Sequence, residues 1–263
     1  MSTASKHALV AVKREVDALT PADADSARNL FDAVTALAGS KALASALAER
    51  GGDAAAKRTL VGRVFGERVQ GGALRVIETA ATQNWESEED LVLGVQEAAI
   101  RSVAQATGEH ERLGDELDSF LEVVSSNGEL ELSLSSRLGA PEAKTALIER
   151  LFGSRLGDDA LRILRSLVQH PAGRRIRRLV TWARALVADQ ADRQVATVTV
   201  ARPLPADQLE RLKAGLSSRF GREISLNQVI DPSVIGGLRI EFGDELIDDT
   251  AAARLKQLRL QLA

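Results

Sequence analysis

The sequence contains no cysteine and no tyrosine, and only 3% of its residues are aromatic. The absence of cysteine excludes disulfide bonds, thiolate metal sites and a cysteine nucleophile. With so few aromatic side chains, the interior must be filled by alanine, leucine and valine, and these small and aliphatic residues favour closely packed helices. At 263 residues, the chain is long enough to bury more than one hydrophobic core.

The chain also lacks a strong charge of either sign and a long apolar run. Its formal net charge is −3 and its pI is about 5.8, so no overall basic field attracts nucleic acid or anionic lipid. No apolar run approaches the roughly 18 residues that a membrane span requires, and the first residues lack the apolar core of a signal peptide. We therefore expect a soluble protein that meets a membrane only through partners.

Motifs that would indicate catalysis or a cofactor are missing as well. The sequence has no His-Glu-x-x-His, Gly-x-Ser-x-Gly, Walker or strand-linked Gly-x-Gly-x-x-Gly pattern. Its three histidines, His7, His110 and His170, stand far apart, and metal sites need clustered ligands. The acidic residues within 244–249 lack the spacing of a calcium loop. We predict a protein that is not an enzyme and that holds no metal, cofactor or small-molecule substrate.

The most informative internal pattern is a repeat with an offset of 87 residues. Residues 43–75 and 130–162 are identical at 14 of 33 positions, whereas chance in this composition gives about three. Both copies contain Lys-x-x-Leu-[Val/Ile]-x-Arg-x-Phe-Gly at the end of a helical stretch. We expect the two phenylalanines to be buried at equivalent sites, and Gly66 and Gly153 to be left-handed helix caps.

Periodicity divides the chain into three predicted domains. Helical stripes predict a first bundle over residues 1–107 and a second bundle, its repeat, over 108–192. The pattern then changes, because Gln194–Ala201 alternates like a strand and is followed by a helix and further strands. The prediction is a mainly α protein with tandem helical bundles and a small α/β C-terminal domain, residues 193–263, of order βαββ(β)α.

The stretch Val229–Thr250 has a distinctive order of turns and strands. The breakers Asp231-Pro232 and Gly236-Gly237 precede an alternating run, Leu238–Phe242, that reads as a half-buried strand. Gly243-Asp244 then suits a two-residue hairpin turn. We expect Gly236 or Gly237 to adopt a positive φ or to allow a close backbone approach.

This order resembles the C-terminal signature of one family, the delta subunit of the rotary proton-translocating ATP synthase, whose mitochondrial counterpart is the oligomycin-sensitivity-conferring protein. The matching positions are Asp231, Pro232, Ile235, Gly236, Gly237, Gly243, Asp244, Ile247 and Asp248. The helical bundle of the family contains a Lys-x-x-Leu-[Leu/Ile]-x-x-Leu-[Phe/Leu]-Gly helix, which is also present here. Its matching positions are Lys144, Leu147, Ile148, Leu151, Phe152 and Gly153. The chain departs from the family at Asp249, where a glycine is usual, and in having two bundles instead of one.

The resemblance implies a function in ATP synthesis and proton transport. Delta subunits are non-catalytic and join the catalytic head to the peripheral stalk, the stator that stops the head from turning with the rotor. The resemblance implies that a bundle binds the N-terminal helices of alpha subunits in a helix-in-groove mode, and that the C-terminal domain binds the b-type stalk subunit. It also implies a peripheral membrane protein on the cytoplasmic side of the cell membrane.

The expected stalk contact is the end of the chain. A final helix is predicted over Thr250–Leu262. Its apolar stripe consists of Ala251, Leu255, Leu258 and Leu262. A domain of this size buries its apolar area incompletely, so we expect the stripe to be divided between the domain core and a stalk helix.

One basic cluster stands out, at the start of a predicted amphipathic helix: Arg174, Arg175, Arg177 and Arg178. A solvated helix face is the simplest interpretation, and a docking patch for an acidic partner is the second. Nucleic acid is least favoured, because the chain is acidic overall and no aromatic residues interleave with the arginines. Trp85 and Trp182 are expected to be partly buried anchors. The alternative function is an unrelated tandem helical-bundle adaptor that binds RNA or a regulatory protein.

Overall fold

The structure is a computed structural model that describes residues 2–19, 25–69, 71–136, 138–192, 195–220, 224–231, 234, 236–242 and 245–248. The chain divides into two compact units, residues 1–188 and 189–263. The first unit is helical, and the second combines a helix with a sheet. The predicted fold class, mainly α with a small α/β C-terminal part, is confirmed for the described residues.

Eleven helices precede the first strand in the part of the chain that the structure describes. They are α1 (Thr3–Asp17), α2 (Ser26–Gly39), α3 (Lys41–Ala48), α4 (Ala54–Phe65), α5 (Gly71–Thr82), α6 (Glu88–Thr107), α7 (His110–Ser126), α8 (Gly128–Ser135), α9 (Pro141–Phe152), α10 (Asp158–Gln169) and α11 (Ile176–Asp192). The predicted bounds of α9 and α10 are confirmed residue for residue, because proline at a first turn and apolar periodicity are strong local signals.

The repeat is visible in the helix bounds and caps. Helices α3, α4 and α5 coincide with α8, α9 and α10 after a shift of 87 residues. Ser40 and Asn127 cap α3 and α8 with nearly the same backbone angles, φ −130° in both, and their side chains accept hydrogen bonds from Leu43 N (3.3 Å) and Leu130 N (3.0 Å). Each cap satisfies an otherwise unpaired N–H at a helix start.

Helix α6 belongs to both copies of the repeat. Shifting α1, residues 3–17, by the same 87 residues places it on residues 90–104, inside α6. The packing agrees with this equivalence. In the first copy α1 contacts α5, and in the second copy α6 contacts α10, the helix equivalent to α5. Helix α6 also contacts α1 and α2 of the first copy. The sixth helix of one bundle is therefore the first helix of the next.

This double role explains why α6 is buried on all sides. Every residue from Leu93 to Ala104 is buried, a pattern found in helices that are surrounded by protein. Four polar side chains in this run have partners, among them Ser102, whose hydroxyl donates to Ala98 O (2.9 Å). Glu97 pairs with Arg101 (Oε1 to Nε, 2.9 Å) and Lys13 (3.5 Å), and the Gln96 amide donates to Ser166 Oγ of α10 (3.0 Å).

One hydrophobic cluster extends from α1 to α11 and includes both copies of the repeat. The equivalent phenylalanines, Phe65 and Phe152, are 4% and 2% exposed, so their predicted burial at matching sites is confirmed. The two copies share α6 and this core, so the contacts do not test a boundary between two separate bundles. The predicted division into residues 1–107 and 108–192 stays a prediction.

The prediction of left-handed caps at Gly66 and Gly153 is wrong. Both glycines are right-handed, with φ of −60° and −58°, because the chain continues for another turn instead of reversing. Their N–H groups donate to Gly62 O and Glu149 O, each at 2.9 Å, and a Cβ at either glycine would overlap that same carbonyl group. The glycines are therefore needed for a close backbone approach, not for handedness.

The second unit is built on a four-stranded mixed sheet of order β2-β1-β3-β4. Its elements are β1 (Val195–Val200), α12 (Ala206–Phe220), β2 (Ser225–Ile230), β3 (Leu238–Phe242) and β4 (Glu245–Asp248). β1 and β2 are parallel, whereas β1–β3 and β3–β4 are antiparallel. The predicted order of strands and helix is confirmed as far as Asp248, and the final helix predicted over 250–262 lies outside the described residues.

The second unit has its own hydrophobic core, formed by the buried side chains that alternate with exposed ones along its strands. Buried residues from β1, β3 and α12, together with Ile224 just before β2, form one cluster: Ala196, Val198, Val200, Leu216, Ile224, Ile240 and Phe242. The rings of Phe220 and Phe242 lie 4.7 Å apart, whereas Arg239 and Glu241 are exposed and paired at 2.8 Å. The period-two pattern predicted for β3 is confirmed.

Two consecutive left-handed glycines lead into β3. Gly236 has φ 68° and Gly237 has φ 81°, so the predicted positive φ is confirmed at both positions. Asp231 N donates to Val200 O (2.9 Å), which ties the beginning of this turn to the end of β1. A side chain with a Cβ rarely adopts such angles.

The matched phenylalanines provide a first test. We expect Phe65→Ala and Phe152→Ala each to lower the free energy of unfolding by about 3–5 kcal/mol. The Phe152→Ala substitution also removes the contact with the Phe120 ring, whose centre lies 4.8 Å from that of the Phe152 ring. Chemical denaturation measures the effect, and the half-exposed neighbours Val64→Ala and Leu151→Ala, each 40% exposed, serve as controls. Similar midpoints for all four variants would contradict the equivalence of the sites.

The glycine pair provides a second test. We expect Gly236→Val and Gly237→Val each to destabilise the second unit by more than the roughly 1 kcal/mol of a typical substitution, because both need a left-handed backbone. Hydrogen exchange of the sheet amides reports on this unit separately. Gly215→Ala is the control, since Gly215 lies within α12 and has open space around it, so it should be neutral or stabilising. Equal exchange in all variants would refute the argument.

Candidate interaction surfaces

The lysine of the repeated motif is a structural cap. Lys144 Nζ donates to Ser136 O (2.5 Å), and its counterpart Lys57 donates to Glu49 O (2.6 Å). Both lysines are buried, and each satisfies a carbonyl group just after a short helix, where backbone acceptors lack partners. Burial lowers the pKa of Lys57, and the charge of Glu49 opposes this shift.

The other motif residues of α9 support the core. Phe152 is buried against Phe120, Leu147 is partly buried against the same cluster, and Gly153 allows the tight turn after the helix. These three positions therefore support the bundle, whereas the motif residue Leu151 is 40% exposed; a contact of the motif with a partner stays a prediction.

The second motif is described only in part. Asp231, Gly236 and Gly237 form the turn before β3, and Asp248 lies opposite Arg239 in the β3–β4 pair. Pro232, Ile235, Gly243 and Asp244 lie outside the described residues. So do the proposed stalk-contact residues Ala251, Leu255, Leu258 and Leu262, and their role stays a prediction.

A cleft of about 1060 Å³ opens on the second copy of the repeat. Its walls come from α8, the start of α9, the end of α10 and the segment before α11. Leu132, on the wall of the cleft, is 71% exposed, and Leu138, beside the cleft residue Gly139, is 98% exposed. Arg174 and Arg175 form the basic side of the cleft. Glu89 of α6 and Glu131 of α8 also line the cleft, which therefore combines exposed apolar side chains with charges of both signs.

The other two members of the arginine cluster, Arg177 and Arg178, continue this basic surface along α11. Arg177 pairs with Glu131 at 3.6 Å, and the Arg174 guanidinium lies 5.8 Å from the centre of the Trp182 ring. Among the described residues, no carboxylate lies within ion-pair distance of Arg175 or Arg178. Most of the cluster's charge is therefore available to a partner.

The equivalent cleft on the first copy is smaller and acidic. It measures about 460 Å³, and Glu86, Glu88 and Glu89 line it. Trp85 is fully buried beside it, with its indole N–H donating to Ala80 O (2.7 Å), and Arg50 donates to Trp85 O (3.0 Å). The expectation that Trp85 is only partly buried is wrong, because Gly94 of α6 leaves room for its ring. Trp182 is partly buried, as expected.

The three histidines are described by their surroundings. In the described part of the chain, no group of three or more histidine or acidic residues is placed to hold a metal ion. His170 contacts Thr35 Oγ1 at 3.3 Å, and burial lowers its pKa. Burial also lowers the pKa of His110, although a hydrogen bond with the Gly108 backbone opposes the shift.

No described helix is by itself long and apolar enough to cross a membrane. Only α2 and α3 together reach the required length and composition, and they bend by 103° at their junction.

The sequence interpretation found the arginines but missed the cleft beside them. The residues that it missed are Leu132 and Leu138. The short segment around α8 contains several leucines, and its sequence does not show which of them are buried. A signal existed in the repeat, since the exposed Leu132 takes the place of Ser45. An apolar residue at a position that is polar in the other copy marks a surface difference.

Comparisons with known proteins identify the family. The model of the family "ATP synthase delta (OSCP) subunit" matches residues 98–262, more than half of the chain. The ATP synthase subunit delta of Leifsonia xyli subsp. xyli is 39% identical over 254 residues, covering 95% of this chain and 96% of that protein. The subunit delta of Streptomyces coelicolor is 36% identical over 270 residues, covering 100% and 98%.

A solved structure is also similar. One chain of the Toxoplasma gondii mitochondrial ATP synthase hexamer is 22% identical and covers 64% of this chain and 94% of its own length, but the TM-score of 0.32 is too low to support an argument. The family model and the full-length relatives above 30% identity are sufficient. They show that the chain belongs to the ATP synthase delta (OSCP) subunit family, whose members are structural, non-catalytic subunits of the synthase.

Proposed function

We propose that this non-catalytic subunit of the rotary ATP synthase joins the catalytic head to the peripheral stalk. In this arrangement the helical unit binds the N-terminal helices of the alpha subunits, and the α/β unit binds the b-type stalk subunit. The observation that carries the proposal is the presence of two separate hydrophobic cores. A linker needs two independently folded attachment units, and a catalytic pocket is not required.

The helical unit has features suited to resisting torque. Its core is continuous across both copies of the repeat, and α6 ties them together through apolar packing and the buried Glu97–Arg101 pair. Close-packed interiors of this kind have low compressibility and transmit strain. A load applied at one end of the unit therefore reaches the other end without a hinge at the junction of the repeats.

The subunit belongs to a membrane-associated complex, and we place it on the cytoplasmic side of the cell membrane, held there by its partners. An adaptor that binds RNA is not favoured. The net charge is −3. The aromatic ring beside the arginine cluster, Trp182, is partly buried against the core, whereas proteins that bind single-stranded nucleic acid stack successive bases on aromatic side chains.

Co-purification tests this function. A tagged chain is isolated from detergent-solubilised membranes, and we expect the alpha and b-type subunits to be recovered with it. Treatment with ribonuclease should leave the recovery unchanged. If synthase subunits were absent, or if the recovered partners were released by ribonuclease, the stator function would be refuted.

Removal of residues 250–263 tests the stalk contact. We expect the shortened chain to lose the b-type subunit and to keep the alpha subunits, because the apolar stripe of this segment is the proposed stalk contact. Leu255→Ser/Leu258→Ser should have the same effect in the full chain. Gln257→Ser/Gln261→Ser is the matched control on the polar side. If the shortened chain still joined head to stalk with unchanged affinity, the stalk contact would belong to another surface.

A further inference from the structure

The two edges of the C-terminal sheet differ in how they are protected. In the described sheet, of order β2-β1-β3-β4, the outer strands are β2 and β4. An edge strand presents unpaired backbone N–H and C=O groups, and proteins protect such edges with charged residues, proline or bulges. The sequence of β4, Glu-Leu-Ile-Asp, has an acidic residue at each end, so this edge is protected by charge.

Strand β2 has none of these protections. Its sequence, Ser-Leu-Asn-Gln-Val-Ile, contains no charged residue and no proline, and its residues pair one to one with those of β1, without a bulge. Asn227 is exposed, and the apolar residues Val229 and Ile230 are 40% and 53% exposed. An uncharged, exposed edge strand of this kind is a template for pairing with a further strand.

The core-facing side of β2 shows what a further strand has to cover. Leu226, Gln228 and Ile230 pair with buried residues of β1, and alternation places all three on the same face of the sheet. Leu226 packs against the core, whereas Ile230 is exposed beside it. Among the described residues, the side-chain nitrogen of Gln228 has no hydrogen-bond partner. The core is therefore incomplete at this edge.

A second copy of β2 meets these requirements when the two strands run antiparallel. Residues that face each other across a sheet point to the same side, and a two-fold axis at Gln228 satisfies this condition. Leu226 of one copy then lies opposite Ile230 of the other, and Asn227 lies opposite Val229. The exposed isoleucine gains an aliphatic neighbour, and each Gln228 amide lies opposite another amide. Because β2 is uncharged, the pairing brings no like charges together.

We propose that β2 is a self-association surface, through which two copies of this chain form a two-fold, antiparallel β2–β2 pair. The pair is closed, because it uses both β2 edges and leaves the acidic β4 strands as the outer edges of the combined sheet. A single strand buries little area, so the dimer is weak and reversible. The inference goes beyond the proposed function, since it concerns the chain outside any complex.

Self-association of the purified full chain tests the inference. In sedimentation equilibrium, the weight-average mass should rise from that of one chain toward that of two between about 5 μM and about 500 μM, the range expected of a small interface. A mass that stays at one chain throughout, or that rises beyond two chains, would overturn the inference. The measurement does not involve the synthase, so its outcome is independent of the proposed function.

Charge variants test the surface and the register. Asn227→Lys/Val229→Lys places lysines directly opposite each other in the proposed pair, so self-association should weaken about tenfold or more. Asn227→Glu/Val229→Glu should have the same effect, and an equimolar mixture of the two variants should associate again, because opposite charges then face each other. Both positions are exposed, so each variant should keep the thermal unfolding midpoint of the unmodified chain.

The control is Leu246→Lys, at a position of β4 that is 56% exposed, and it should associate like the unmodified chain. An equal loss of association in this control would place the contact elsewhere. So would a mixture of the folded lysine and glutamate variants that remains monomeric. Either result overturns the inference.

The absence of cysteine from the chain allows a further test by cross-linking. Gln228→Cys places two thiols opposite each other at the two-fold axis, within the distance that a disulfide spans. Oxidation with diamide, which takes up the two electrons and two protons of the thiols, should therefore join two chains. Leu246→Cys is the matched control and should stay a single chain. Equal cross-linking of the two variants would show that the chains do not meet at β2, and the inference would fail.

Discussion

The packing of α6 on two sides is the constraint on which the helical unit depends. A helix that serves as the last member of one bundle and the first of the next has no face left for water, so the run Leu93–Ala104 is buried throughout. Its charged residues are tolerated because Glu97 and Arg101 pair with each other, and removal of either partner would leave a buried charge uncompensated. Gly94 shows how close the packing is, since a side chain there would occupy the space of the Trp85 ring.

The duplicated bundles kept their internal chemistry and differ at their surfaces. In both copies a buried lysine caps the carbonyl group after a short helix, and a glycine permits the turn after the next helix. These are backbone requirements that any copy of the fold must meet. The helix starts that face solvent are free of such requirements. There the first copy has acidic residues beside a small cleft, whereas the second copy has arginines beside a larger one. Duplication thus supplied a rigid scaffold with a second, different surface.

A linking function follows more directly from this architecture than a catalytic one. Two units with separate cores provide two attachments, and the first unit has a continuous interior that resists deformation. The buried lysines of the helical unit cap carbonyl groups and Glu97 pairs with Arg101, and the described histidines and carboxylates form no metal cluster.

The sequence by itself determined the elements of this protein, its repeat and its family. Helix bounds such as Pro141–Phe152 depend on local signals, apolar spacing and capping residues, that are present in the letters. The two left-handed glycines before β3 were predictable because a glycine pair at a strand entry has few other uses. Tertiary structure decided the rest: that α6 is shared, that Gly66 and Gly153 are right-handed, that Trp85 is fully buried and that the larger of the two equivalent clefts lies beside the arginines. These outcomes depend on contacts between residues far apart in the chain, and periodicity within a single helix carries no information about how many neighbours pack around it.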